Sequence, residues 1–167
     1  MKTKTLIQRG AIVAASLGAG GLAMALLGHK VVHTELVIPA APEAVWTVLT
    51  DSGGYADWNP IFVHVEGEYR HGAKMRYLMR NDAGRVSEVT STVVRFDVER
   101  ELNQFGGVRG LLTFDHVWRL ERVPEGTRVV QHEEYRGLGV WFWDASWVEP
   151  MYMRANEALR ERVVAAP

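Results

Sequence analysis

Between Val32 and Pro60 the chain reads VHTELVIPAAPEAVWTVLTDSGGYADWNP, and this stretch restricts the fold more than any other. An apolar, β-rich run (Val31, Val32, Leu36, Val37, Ile38) breaks at Pro39 and restarts as a helix with Pro42 in its first turn. Proline suits that place because its missing N–H needs no partner there, and Glu43 beside it favours the positive helix N-terminus. Val45, Trp46, Val48 and Leu49 give this helix a wide apolar face, so it must pack on something large and apolar. Asp51-Ser52-Gly53-Gly54 ends it. A second short helical turn, Tyr55 to Trp58, stops before Pro60, because the residue preceding a proline is pushed out of the α region.

The rest of the chain supplies the surface on which that helix packs. Ile61, Val63 and Val65 alternate with Phe62, His64 and Glu66, and a turn at Arg70-His71-Gly72 leads into a return strand. There Met75, Tyr77 and Met79 form one face against Lys74, Arg76, Leu78 and Arg80 on the other. Asn81-Asp82-Ala83-Gly84 is a turn cluster, and the Val- and Thr-rich run from Val86 to Val98 has strand composition. The next strand reads from Leu102 to Phe105, closed by Gly106-Gly107. From Leu111 to Val123 the alternation is clearest: Leu112, Phe114, His116, Trp118 and Leu120 lie on one face, with Thr113, Asp115, Val117, Arg119 and Glu121 on the other. A Pro124-Glu125-Gly126 turn sends the chain back from Thr127 to Leu138. An odd-sum register between these neighbours places Val129, Gln131, Glu133 and Tyr135 on the face that carries His116 and Trp118. Beyond an aromatic stretch (Trp141, Phe142, Trp143, Trp147) and Pro150, apolar residues recur near the helical period through Met151, Ala155, Ala158 and Leu159.

The segments PEAVWTVLTD, WNP, Val65-Glu66-Gly67, Gly126-Thr127-Arg128-Val129, Glu133 to Leu138 and Arg154 to Arg160, in this order, resemble the START-like (SRPBCC) superfamily, the polyketide cyclase/dehydrase and lipid transport group. The resemblance runs from about residue 32 to about residue 165. It implies an α+β helix-grip fold, a bent antiparallel sheet of about seven strands wrapped around a long C-terminal helix. It also implies a hydrophobic small molecule or lipid as the bound partner. Residues 31–167 would be that domain, and residues 1–30 a separate segment.

At 167 residues the chain has room for one well-cored domain and a short appendage. Nineteen Lys and Arg nearly cancel twenty Asp and Glu, so no basic field favours nucleic acid. The absence of cysteine excludes disulfides, thiolate nucleophiles, Cys-based metal sites and a lipidated N-terminal Cys. At the N-terminus Lys2, Lys4 and Arg9 precede an uncharged run from Gly10 to Gly28. Positive residues before an apolar run hold that end in the cytoplasm and send the chain beyond the run outward. The run stands between two lengths, near the lower limit for a bilayer span (about 17 to 25 residues) yet longer than a secretory core (about 7 to 15). The expectation is a single-pass anchor in the inner membrane with the domain on the outer, periplasmic side. Cleavage after Ala23-Met24-Ala25 would instead release a periplasmic or secreted chain beginning near Leu26.

A curved sheet closed by one helix leaves a ligand-sized cavity unless its inward side chains are large. The expected lining is Trp58, Asn59, Tyr77, Met79, Phe105, Phe114, His116, Trp118, Gln131, Glu133, Tyr135, Met151 and Tyr152. A packed core shows the same aromatic stripe, and only an open cavity separates the two. His116 and Glu133, on adjacent strands with the same facing, would be within reach of each other, and because a buried carboxylate needs a partner Glu133 should lie near His116, Gln131 or Tyr135. If the protein is an enzyme they are the candidate acid and base; otherwise they are a satisfied buried pair that orders the sheet. Asn59 before Pro60 is a turn former as well as a cavity candidate. His29, His33, His64, His71 and His132 show no metal-ligand spacing, so neither a metal nor any other cofactor is expected, and Gly106 to Gly110 lacks the ending of a phosphate loop.

Three functions are consistent with these residues: a membrane-tethered carrier or sensor of a hydrophobic molecule, a cyclase/dehydratase-like enzyme using His116 and Glu133, or a protein-binding module. An exposed patch around Trp141, Trp143 and Trp147 would favour the last. Oligomeric state is open.

Overall fold

The computed structural model describes residue 18, residues 20–81 and residues 83–166. Among these, seven strands form one antiparallel sheet: β1 (His29–Ile38), β2 (Phe62–Glu66), β3 (Lys74–Arg80), β4 (Val86–Asp97), β5 (Glu101–Val108), β6 (Leu112–Val123) and β7 (Gly126–Arg136). Their order across the sheet is β1-β7-β6-β5-β4-β3-β2. Every pair adjacent in sequence from β2 to β7 is a hairpin neighbour, and β1 is carried to the far edge beside β7. The crossover contains two helices, α1 (Pro42–Thr50) and α2 (Tyr55–Trp58), and the long helix α3 (Val148–Ala165) closes the chain. This is the α+β helix-grip arrangement, a curled seven-stranded sheet around a C-terminal helix.

Local chemistry accounts for the curl. Register shifts interrupt β2 between Phe62 and His64 and β4 between Val93 and Arg95. An extra residue on one strand of a pair bends that strand and raises its twist, so the sheet wraps instead of lying flat. The concave face is apolar: Met75 and Tyr77 on β3, Val93 on β4, Leu102 on β5, Trp118 and Leu120 on β6 and Val129 on β7 are all buried. On the convex face charges pair across strands, with Arg76 between Glu66 and Glu88, and Arg119 against Glu101. Such exposed pairs contribute roughly 0 to 1 kcal/mol each, so the concave side holds the fold together.

That side holds two clusters. One joins α1 to the sheet and the end of α3 through Ile38, Val45, Leu49, Met75, Leu102, Val129 and Leu159. The other gathers Val32, Ile61, Tyr135, Val140, Val148, Met151 and Tyr152 around the start of α3. Pro150 and Glu149 in the first turn of α3 are where a helix start favours them.

Two sequence expectations change. The strand read as ending at Phe105 continues to Val108, with Gly106 opposite Phe114 and Gly107 opposite Thr113. These glycines permit the close approach: a Cβ on Gly106 would stand 2.3 Å from the Phe114 ring, and one on Gly107 2.3 Å from the Leu112 carbonyl oxygen. The last strand ends at Arg136, and Leu138 opens a 3-10 turn, Leu138–Trp141.

Most of the expected helix from Gly10 to Gly28 lies outside the described residues. Residues 20–27 are helical and expose Leu22, Leu26 and Leu27. Among the described residues no helix is long and apolar enough to cross a membrane. Where the described residues of this stretch meet the domain, the Trp141 indole N–H donates to the Met24 carbonyl at 2.9 Å, and just beyond the helix Gly137 N–H donates to the Gly28 carbonyl at 3.0 Å.

Candidate functional site

The two clusters do not close on each other, and side chains from both surround a cavity of about 270 Å³ beneath α3. That volume sits just under the range of roughly 300 to 1,000 Å³ found for small-molecule sites. Of the residues expected from sequence, Asn59, Tyr77, Met79, Phe114, His116, Trp118, Gln131, Glu133, Tyr135, Met151 and Tyr152 line it.

Phe105 and Trp58 do not. Phe105 stands opposite Asp115 on the convex face, because strand side chains alternate and Gln104, opposite His116, takes the inward position. On α2, Tyr55 and Asn59 are four apart and take the cavity positions, while Trp58 stacks on the Tyr55 ring with centroids 5.0 Å apart. Sequence reasoning also missed Tyr55, Phe62, Val89, Ser91, Gln104, Leu112, Trp143, Trp147 and Ala155. Gln104 was recoverable from the alternation that starts at Leu102.

The aromatic stretch divides. Trp141 and Phe142 are exposed (55% and 78%), whereas Trp143 turns in, stacks on Tyr135 at 4.6 Å and joins Trp147 in the cavity wall.

Polar groups gather on β6 and β7. Register sets His116 opposite Glu133, as an odd sum requires, yet the two side chains take other partners. Of the partners open to Glu133, the structure takes Tyr135 and not His116, so the expected His116–Glu133 pair is corrected. The Gln131 amide donates to His116 Nε2 at 2.9 Å, which places the His116 proton on Nδ1. Burial, reinforced by His132, lowers the His116 pKa to about 3, so the ring is neutral. Glu133 Oε2 accepts hydrogen bonds from both the Tyr135 and the Tyr152 hydroxyls. Burial raises the Glu133 pKa to about 7, against the lowering effect of those two phenols. Both phenols are themselves pushed well above the ordinary tyrosine value, chiefly by burial, so they remain donors. A second network lies across the cavity: the Tyr77 hydroxyl and the Ser91 hydroxyl both donate to Gln104 Oε1. Asn59 fulfils its turn role, since its Oδ1 accepts from the Ile61 and Phe62 amides at 2.9 and 2.8 Å, and it lines the cavity as well.

An apolar wall with a few oriented polar groups is suited to binding a small amphiphile. Glu133, with a pKa near neutrality, is the one acidic group there that could exchange a proton under ordinary conditions. Among the described residues no group of three or more His, Cys, Asp or Glu side chains is arranged to hold a metal ion.

Residues 29–164 match the model of a family described as polyketide cyclase / dehydrase and lipid transport. Solved structures share the architecture. A protein from Rhodobacter sphaeroides superposes with a TM-score of 0.69 at 18% identity, covering 81% of this chain and 93% of its own. TTHA0849 from Thermus thermophilus gives 0.66 at 22% identity, with coverage of 81% and 98%. Ara h 8.0201 gives 0.65 at 16% identity, with coverage of 83% and 100%. At these identities the likeness is one of fold. No curated protein sequence matches the chain significantly.

Proposed function

The chain belongs to the polyketide cyclase / dehydrase and lipid transport family, and from that premise we propose that it is a carrier or sensor of a hydrophobic small molecule or lipid, held in the cavity of a membrane-tethered domain. The observation that carries this reading is the cavity itself. Aromatic and methionine side chains converge on it from the sheet, from α2 and from α3, and they leave it open instead of meeting. An unfilled apolar pocket forfeits the contacts that packing would supply, so the fold keeps this one at a cost in stability.

The tether rests on the uncharged run from Gly10 to Gly28 behind Lys2, Lys4 and Arg9. The exposed Leu22, Leu26 and Leu27 on helical residues 20–27 support it. In this reading the domain stands on the outer side of an inner membrane. Full-length protein should stay with the membrane fraction through an alkaline carbonate wash; recovery in the supernatant of a chain starting near Leu26 would replace the anchor by a cleaved signal.

Binding is tested with N-phenyl-1-naphthylamine, a neutral probe whose emission rises in apolar surroundings. The full chain should enhance its emission saturably. Ala155→Phe, which fills the cavity from α3, should weaken binding by about tenfold or more, equivalent to about 1.4 kcal/mol. No saturable enhancement, or equal affinity in a folded variant, would remove the carrier reading.

A second reading draws on the near-neutral Glu133: a cyclase- or dehydratase-like enzyme in which this carboxyl moves a proton on the bound molecule. Glu133→Gln would then leave binding of a cyclisable polyketide analogue intact and abolish its conversion.

A further inference from the structure

Every titratable group in the cavity wall is Glu133, His116 or a tyrosine, and among the described residues no Lys or Arg lines it. Glu133 is 4% exposed and carries both of its phenolic hydrogen bonds on Oε2. Among the described residues no group donates to its other oxygen, Oε1. Two positions along the same face of β7, Gln131 is 1% exposed and spends its amide N–H on His116, and its own Oε1 is buried with no donor. When Glu133 is ionised, its Oε1 therefore faces the cavity as an acceptor to which no described group donates; when it is neutral, the two phenols on Oε2 leave its proton on Oε1. A buried acceptor left without a donor costs about 1 to 3 kcal/mol, more where the group is charged, so whatever supplies the missing donor recovers that cost.

The geometry points to a ligand class: an apolar, flat or flexible body ending in a hydrogen-bond donor, a hydroxyl or a protonated amine, which is directed at Glu133 Oε1. This deepens, and rests on, the reading of the cavity as a ligand site. A carboxylate end offers only acceptors and would meet a carboxyl without a counter-charge, so fatty-acid-like anions are selected against. The Arg154 guanidinium lies in the neighbouring surface cleft with Asn81 and Trp147, outside the cavity wall, and has an interaction of its own. An ether of the same shape can accept but not donate, and it separates the donor requirement from simple burial of the ring. Hydroxyl and ammonium differ in charge, so their relative affinity reports how much of the pairing with the Glu133 carboxylate is electrostatic.

The test is calorimetric titration of the full chain at about pH 8.5, where Glu133 is ionised, with four shape-matched naphthalenes: 2-naphthylmethanol, 2-naphthylmethylamine, 2-(methoxymethyl)naphthalene and 2-naphthoate. The alcohol, the amine or both should bind at least about tenfold tighter than the ether, and the carboxylate weakest, since each factor of ten corresponds to about 1.4 kcal/mol, within the range for one satisfied buried acceptor. Glu133→Gln should reduce the advantage of the donor over the ether to about twofold or less while the ether still binds, a comparison that a globally unfolded variant would fail at once through loss of the ether as well. Equal binding of all four, or the carboxylate at the top, overturns the donor assignment while leaving the cavity as a ligand site. Binding of none of the four, together with failure of the neutral probe, overturns the cavity reading from which the assignment starts.

Discussion

His116 and Glu133 face each other across β6 and β7 but titrate in opposite senses. Glu133 keeps its proton up to about 7, above its unfolded value of 4.5, so its contribution to stability is fully present below 4.5 and is lost as pH rises towards 7. His116 loses its proton at about 3, below its unfolded value of 6.5, so its contribution is present above 6.5 and is lost as pH falls. Between 4.5 and 6.5 the two slopes oppose each other and cancel. Glu133→Gln should therefore add a positive slope of stability against pH, and His116→Gln a negative one, each by about 1 kcal/mol per pH unit relative to the parent chain. Urea unfolding across that window measures both. Parallel curves for parent and variants would show that the two groups titrate normally. The facing of these residues was legible from strand alternation and register. Tyr135 as a partner of Glu133 was legible too, but Tyr152 was not, because it reaches Glu133 from α3, and no local pattern encodes the distance between a helix and a strand far apart in sequence.

At the scale of elements, β5 shows how a sequence signal can be read backwards. Gly106-Gly107 looks like a terminator, since glycine weakens strands, but here it lets β5 run beneath Phe114 and beside Leu112. Phe105 was expected inside and Gln104 was not, although alternation from Leu102 alone puts Gln104 on the inward face. Gly107 and Gly110 both have positive φ (91° and 80°), but only Gly107 lies against backbone. Gly110→Ala should cost about 1 kcal/mol for its conformation alone, and Gly107→Ala more than twice that, because the Leu112 carbonyl cannot yield as a flexible side chain would. Thermal unfolding of the two variants decides it; equal losses would mean that the approach of β5 to β6 is not tight. Elements with a clean period, β3, β6, β7 and α1, were legible because one face of each is buried over most of its length. The bulges in β2 and β4 were not, since an inserted residue leaves no mark in composition.

For the whole molecule, the helix-grip fold was readable from the order of its segments. The cavity was not, because an empty volume depends on whether side chains from opposite walls meet, and that is a property of the closed structure. Tyr77 and Trp118 reach it from one core cluster, Tyr135, Met151 and Tyr152 from the other, and the proposed function depends on the gap between them. Four methionines of the domain sample its surroundings differently. Met79 and Met151 line the cavity, Met75 is fully buried in the core beyond it, and Met153 is 39% exposed on the outer side of α3. Methyl-labelled methionine spectra of the full chain, recorded during titration with 2-naphthylmethanol, test the central claim directly. The Met79 and Met151 methyl signals should shift saturably while those of Met75 and Met153 stay in place. Saturable shifts at Met153 alone, or none at any of the four, would contradict an internal ligand site.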